Sequence, residues 1–190
     1  MTQLELLDEV AAALNHLGIG WMLVGSYAAA AHGHPRTTHD IDVVAQLSME
    51  HVEPLVELLG DQYYLSREAL TEAIERGTPA NVIHAASGDK LDIWPLGADA
   101  YQVASFQRRQ EMKLGALAAF VQSPEDTILS KLRWQRESQS ARHHEDAVGV
   151  AVVQYGHLDL DYMRHWAEEL GLTPDLCRLL DEAEASANAR

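Results

Sequence analysis

The sequence predicts an α/β (α+β) chain: a mixed sheet flanked by helices over residues 1–122, followed by a helical region over residues 123–190. Three observations carry this. Short apolar or β-branched runs alternate with helical spacings up to about residue 121. From Ser123 onward every periodic segment is helical. The composition of the 190 residues, 47% hydrophobic and 23% charged, is that of a folded chain able to bury a core as one domain or one plus a small appendage.

The elements follow in order. Leu4, Leu7, Val10, Ala11 and Leu14 recur at helical spacing and Gly18 stands where a helix ends, which predicts a first helix over about 3–17. Trp21 to Val24 is a short apolar strand stopping at Gly25-Ser26, and Tyr27 to His32 has the small-residue make-up of a helix pressed onto a sheet, with Ser26 as its expected N-cap. His34 to His39 reads as a loop, and Asp40 to Ala45 as a strand. Helices are expected over about 49–60 and 67–76. Strands over 80–85 and 90–94 are separated by a Ser-Gly-Asp turn and closed by Pro95. A helix over about 100–113 and a short strand over 116–121 come next. Ser123-Pro124-Glu125-Asp126 then starts a helix, with a cap, a proline at the first position and acids in the first turn. The expected helices from there are 124–138, 141–155, 160–170 and 174–186.

The 29 Asp+Glu exceed the 14 Lys+Arg by 15, a formal charge of −15 with neutral histidines. This argues against a broad surface that binds by neutralising phosphates, and leaves room for a local basic pocket. The single Cys177 excludes an internal disulfide framework and any multi-cysteine metal site. Acids interrupt the leucines of the first twenty residues, unlike a signal peptide, and no run approaches a membrane span. A cytoplasmic protein with no membrane partner is the expectation.

Asp40 and Asp42 stand two apart on a predicted strand, where the period of two sends both side chains to one face. Two converging carboxylates need a compensating cation or hydrogen-bond network, and hard oxygen ligands without cysteines point to Mg²⁺ or Mn²⁺. Taken alone, an Asp-x-Asp pair is more often a solvated strand end than a metal site. Here it lies downstream of a strand that stops at Gly25-Ser26 and opens a helix, an arrangement able to anchor phosphate. It lies upstream of Asp92, an acid flanked by Leu91 and Ile93 on another predicted strand. Three carboxylates on adjacent strands can hold two metal ions, and the third can also take a proton from an attacking hydroxyl.

Gly25-Ser26, then Arg36-x-Thr38-x-Asp40-x-Asp42, then a lone Asp92, resembles the nucleotidyltransferase fold of the DNA polymerase beta superfamily. Within it, the stretch Gly25 to Val43 is most similar to the nucleotidyltransferase toxins of abortive-infection and type IV toxin-antitoxin systems. The resemblance resumes at Ser123 to Leu132, similar to a Pro-Glu-Asp-Leu-Ile-Leu-x-Lys-Leu helix, and at Arg142 with Glu145-Asp146. It implies metal-dependent transfer of an NMP group from an NTP to a hydroxyl of an RNA (tRNA) or protein acceptor, with a cognate antitoxin as a further partner. On this reading Asp40, Asp42 and Asp92 are the catalytic and metal-holding carboxylates. Gly25, Ser26, Arg36, Thr38, Lys131, Arg142 and Asp146 form the nucleotide site.

Bland readings stand beside these. Lys131 can be a lysine snorkelling at the core edge, Arg142 and Asp146 an ordinary i, i+4 surface pair, and the four tryptophans core residues. Two other functions compete. One is a non-catalytic protein of the same fold that binds a nucleotide or a partner. The other is a metal-dependent phosphohydrolase assembled from His32-Gly33-His34, His39-Asp40 and His143-His144-Glu145-Asp146. The basic residues Arg108, Arg109, Lys113, Lys131, Arg133, Arg136 and Arg142 are the ones available to line a cleft for a nucleic acid.

Overall fold

The computed structural model, which describes residues 2–33, 38 and 40–188, is organised around a seven-stranded mixed sheet. The strands are β1 Trp21–Val24, β2 Ile41–Ala45, β3 Tyr63–Tyr64, β4 Ala80–His84, β5 Lys90–Pro95, β6 Gln110–Leu114 and β7 Leu117–Val121, in the order β3-β4-β5-β2-β1-β7-β6. β2 is antiparallel to β1 and parallel to β5, and β1 is parallel to β7. Three antiparallel pairs, β3–β4, β4–β5 and β6–β7, complete the ladder, with β3 at one edge and β6 at the other.

Period-two alternation decides which side of the central strands is core. Ile41, Val43, Ala45, Leu91, Ile93, Ala80 and Val82 are buried on one face. They pack with Leu6, Leu7, Val10 and Leu14 of helix α1 (Gln3–His16), Leu55 of α3 (Val52–Leu59) and Leu70 of α4 (Arg67–Arg76). The intervening residues Asp42, Val44, Lys90, Asp92 and Trp94 lie on the opposite face and are partly exposed.

A second core is built by α6 (Pro124–Ser138), α7 (Ala141–Val153), α8 (Leu160–Glu169) and α9 (Thr173–Asn188). Its centre is Ile128, Leu129, Leu132, Val150, Met163 and Leu179, joined by Tyr101 of α5 (Ala100–Gln107). The short helix α2 (Gly25–Ala31) belongs to both cores, since Ala28 is buried in the first and Ala29 in the second. Its run of alanines permits that double contact, because larger side chains would hold the two halves apart.

Two buried polar clusters fix the helical part to the sheet. In the first, Ser123 caps α6 by accepting from the Asp126 N–H at 3.1 Å, and the Asp126 carboxylate accepts from the Tyr162 hydroxyl at 2.8 Å. Arg108 lies 3.5 Å from Glu125, 3.9 Å from Asp126 and 3.8 Å from Asp159, with its guanidinium over the Tyr162 ring. Burial pushes the Asp126 carboxyl above the ordinary carboxylate range, against the pull of Ser123, Tyr162 and Arg108. In the second cluster, Lys131 Nζ pairs with Asp146 Oδ2 at 2.6 Å and donates to Ser26 Oγ at 3.2 Å, tying α6 and α7 to α2.

The structure departs from the sequence reading in a few places. The expected helix over 100–113 ends at Gln107, and Gln110 to Leu114 form β6. Gln, Glu, Met, Lys and Leu are good helix formers, but antiparallel pairing with β7 outweighs that preference. Helix 49–60 begins as a 3₁₀ turn over Met49–His51, and the two-residue β3 was not expected. Ser26 does not cap α2: the cap position is Val24, with no side-chain cap, and Ser26 is already inside the helix. Among the described residues no helix is long and apolar enough to cross a membrane.

Lys131→Met removes the ammonium that lies 2.6 Å from Asp146 Oδ2 and is expected to lower the unfolding free energy by about 3–5 kcal/mol, read from urea melts. Lys131→Met/Asp146→Leu regains part of that loss. A single variant as stable as the parent contradicts the pairing.

Candidate active site

The parallel ladder between β2 and β5 places Asp42 and Asp92 side by side as register partners, both on the face turned away from the first core. On the other flank of β2, Asp42 is the partner of Val24, the last residue of β1. The chain turns there into α2 through Gly25, whose φ of +67° is one that L side chains rarely adopt. A Cβ at Gly25 would lie 2.7 Å from Asp42 Oδ2, so glycine is needed twice, for the turn and for the space beside the carboxylate.

Asp42 is held by its neighbours. Trp94 Nε1 donates to Asp42 Oδ1 at 3.2 Å. Burial raises the Asp42 carboxyl above the ordinary range, and the charges of Asp92 and Asp40 push the same way, while the Trp94 hydrogen bond and the Lys131 ammonium oppose them. Asp92 Oδ2 accepts from Lys90 Nζ at 3.0 Å, whereas Asp92 Oδ1 is buried with no hydrogen-bond partner. That orphaned oxygen carries a desolvation cost that a proton donor or cation would offset. The Asp92 hydrogen bond raises the Lys90 ammonium, and the charges of Asp92, Asp40 and Asp42 add to it.

Asp40 lies one residue before β2 and is exposed, near enough for its charge to act on both Asp42 and Lys90. Thr38 reaches the main chain of Asp40, its hydroxyl accepting from the Asp40 N–H at 3.4 Å. Arg36 lies outside the described residues, as do His34 and His39. The Lys131 ammonium sits between Ser26 and Asp146, so those three expected site residues do come together. Asp146 pairs with Lys131 on the neighbouring helix, and Arg142, one turn back from Asp146, is exposed on α7.

The donor set suits a hard divalent cation in kind: carboxylate oxygens only, one of them buried and unsatisfied, beside a turn kept free of side chains. In their present rotamers, however, no three His, Cys, Asp or Glu side chains among the described residues are grouped to hold a metal. Trp94 engages one acid and Lys90 another, so a cation would have to draw Asp40, Asp42 and Asp92 together.

Two residues of this face were missed by sequence reasoning. Lys90 and Trp94 stand two before and two after Asp92, and the same alternation that pairs Asp40 with Asp42 would have found them. Trp94 in particular is not a core residue. Two of the described histidines of the phosphohydrolase reading are engaged elsewhere: buried His32 contacts the Gln122 carbonyl at 2.6 Å, and His144 contacts Glu182 at 2.8 Å.

This architecture is that of the nucleotidyltransferase fold. The antibiotic-resistance factor ANT(2'')-Ia is similar over 99% of this chain and 98% of its own, with 17% identity and a TM-score of 0.58. The lincosamide antibiotic adenylyltransferase LnuA, in its lincomycin-bound structure, is similar over 80% of this chain and 98% of its own, with 15% identity and a TM-score of 0.53. An antigenic nucleotidyltransferase-like protein from Paracoccidioides brasiliensis is similar over 95% and 93%, with 16% identity and a TM-score of 0.55. No protein-family model and no curated protein sequence matches the chain.

Because its folded-state pKa is raised, Asp42 stabilises the fold only while protonated, and that contribution is lost as pH rises through the raised value. In a chelator-containing buffer Asp42→Asn is therefore expected to melt above the parent at neutral pH. The gap should close as pH falls below the ordinary carboxylate range. If these carboxylates take up Mg²⁺, its addition is expected to raise the parent's melting temperature more than the variant's. A variant that melts below the parent at neutral pH contradicts this reading of Asp42.

Proposed function

We propose that the protein is a nucleotidyltransferase that moves an NMP group from an NTP to a hydroxyl of an acceptor. The observation that carries this reading is the pairing of Asp42 with Asp92 on the sheet face turned away from the first core, directly beside the Gly25 turn and the Ser26–Lys131 contact. Likeness in fold to nucleotidyltransferases supports it from a second side.

The roles divide by chemistry. Asp42 and Asp92, with Asp40 at the rim, would hold Mg²⁺ or Mn²⁺, which when bound supplies charge stabilisation for in-line displacement at the α-phosphorus. Lys131 and the Gly25-Ser26 turn bind the β- and γ-phosphates, with Arg36 and Arg142 as further cations for the same group. Asp92 Oδ1, with no protein donor of its own, accepts the proton of the attacking hydroxyl. Thr38 positions the main chain that carries Asp40. Pyrophosphate leaves as the new phosphodiester forms.

The acceptor that the charge distribution favours is compact. Of the basic residues available to line a cleft, Arg108, Lys131, Arg133 and Arg136 are paired with the protein's own acids, and Arg109 is folded over Phe106. Those pairs leave few cations for a long RNA. ANT(2'')-Ia, a chain of closely similar extent, is an antibiotic-resistance factor, and LnuA is an adenylyltransferase bound to lincomycin, so the fold at this size accommodates a small acceptor. Transfer to tRNA or protein, as a toxin restrained by an antitoxin, is the second reading, and the Arg-x-Thr-x-Asp-Ile-Asp stretch ending at Asp42 favours it.

Incubation of the protein and Mg²⁺ with each α-labelled NTP, against a panel of small polyhydroxylated compounds, tRNA and cell protein, tests both readings. Label transfer with release of pyrophosphate is expected. Asp42→Asn and Asp92→Asn are each expected to reduce it by about 10²-fold or more. Transfer to the small compounds alone supports the compact acceptor, and transfer to tRNA or protein alone replaces it with the toxin reading. NTP binding without transfer to any acceptor contradicts the enzyme and leaves a nucleotide-binding protein.

A further inference from the structure

Trp21 and Trp166 are packed in or against the two cores, but Trp94 and Trp134 belong to neither. They meet edge to face with ring centroids 5.7 Å apart, beside the candidate active site. Trp94 is tied to Asp42 by its indole N–H. Trp134 is 43% exposed, and it follows Lys131 by three residues on α6. Slightly less than one helical turn, a rise of about 4.5 Å, therefore separates its backbone from that of the lysine whose ammonium touches Ser26. Trp134 is thus a large aromatic ring left partly open next to the residue that holds the Asp42 carboxylate.

We propose that Trp134 is the platform on which the nucleobase of the bound NTP stacks, with Trp94 buttressing it edge-on and linking it to the Asp42 carboxylate. The inference rests on the nucleotidyl-transfer reading of this site. The nucleotide is a better occupant than the acceptor because Trp134 is rigidly related to the phosphate end. Lys131 and Trp134 share one helix, and Trp94 joins the same ring to the carboxylate that faces the α-phosphate. A nucleoside triphosphate carries an anionic end and a planar end, and those three residues present a partner for each. Stacking on an open ring uses the π-face that every base has, so this platform admits all four NTPs and binds the larger purines more tightly.

The test compares binding of Mg²⁺–ATP and of Mg²⁺–tripolyphosphate by calorimetry, with tryptophan fluorescence quenching as a second readout. The proteins are the parent, Trp134→Ala, Trp134→Phe and Asp42→Asn, each first checked by its melting curve. Trp134→Ala is expected to weaken ATP by about 10-fold or more while leaving tripolyphosphate unchanged, and Trp134→Phe to keep most of the affinity. ATP quenches the parent's fluorescence strongly and that of Trp134→Phe less. ATP affinity unaltered in Trp134→Ala but lost in Asp42→Asn overturns the platform and spares the proposed function. Equal loss of ATP and tripolyphosphate in Trp134→Ala overturns it as well. A parent that binds neither ligand overturns both.

Discussion

The buried ion pair between Lys131 and Asp146 is the interaction on which the rest of the structure depends. Both side chains are at most 5% exposed, and the same ammonium donates to Ser26 in the first turn of α2. Burying two charges is costly, so such a pair holds only in good geometry with further hydrogen bonds. Here those conditions are met where α2, α6 and α7 converge, and where Ala28 and Ala29 of α2 enter different cores. The pair therefore fixes the helical region against the sheet at the point where the candidate phosphate seat lies. A hydrophobic substitute could glue the helices together, but it would not put a cation beside Gly25 and Ser26.

The sheet face opposite the first core shows the complementary strain. Asp42 is buried enough to resist ionisation, and Asp92 keeps one oxygen without a partner. A core built for stability alone would place a smaller or apolar residue at either position. Two carboxylates in adjacent register, beside a glycine that leaves space, make sense as an arrangement waiting for charge to arrive from outside the chain. Lys90 and Trp94 temper the cost meanwhile. Elsewhere the acid surplus is partly spent on the protein's own cations, as where Arg108 meets Glu125, Asp126 and Asp159.

Much of this was legible in the sequence because the signals are local. The strand Trp21–Val24, the helix Arg67–Arg76 and the helix Pro124–Ser138 have the bounds that their apolar spacing, caps and breakers define. Asp42 and Asp92 were found by alternation and by their apolar flanks. What escaped depends on partners distant in the chain. β6 is a strand only because β7 pairs with it, and its residues taken alone favour a helix. Ser26 looked like a cap, and only the fold brings Lys131, 105 residues away in sequence, to its hydroxyl. Trp94 reads as core from composition, and the parallel register with β2 turns it toward Asp42 instead.

On the proposed function, Asp42 and Asp92 together receive a divalent cation and the phosphates of a nucleotide. A crystal structure of the protein with Mn²⁺ and a non-hydrolysable NTP analogue tests it most directly, through the anomalous signal of the metal. The expected result is a manganese peak bonded to oxygens of both Asp42 and Asp92, with Lys90 withdrawn from Asp92 and the triphosphate against Ser26 and Lys131. A nucleotide bound elsewhere, or at this site with the Lys90–Asp92 pair intact and no metal between the carboxylates, would contradict it.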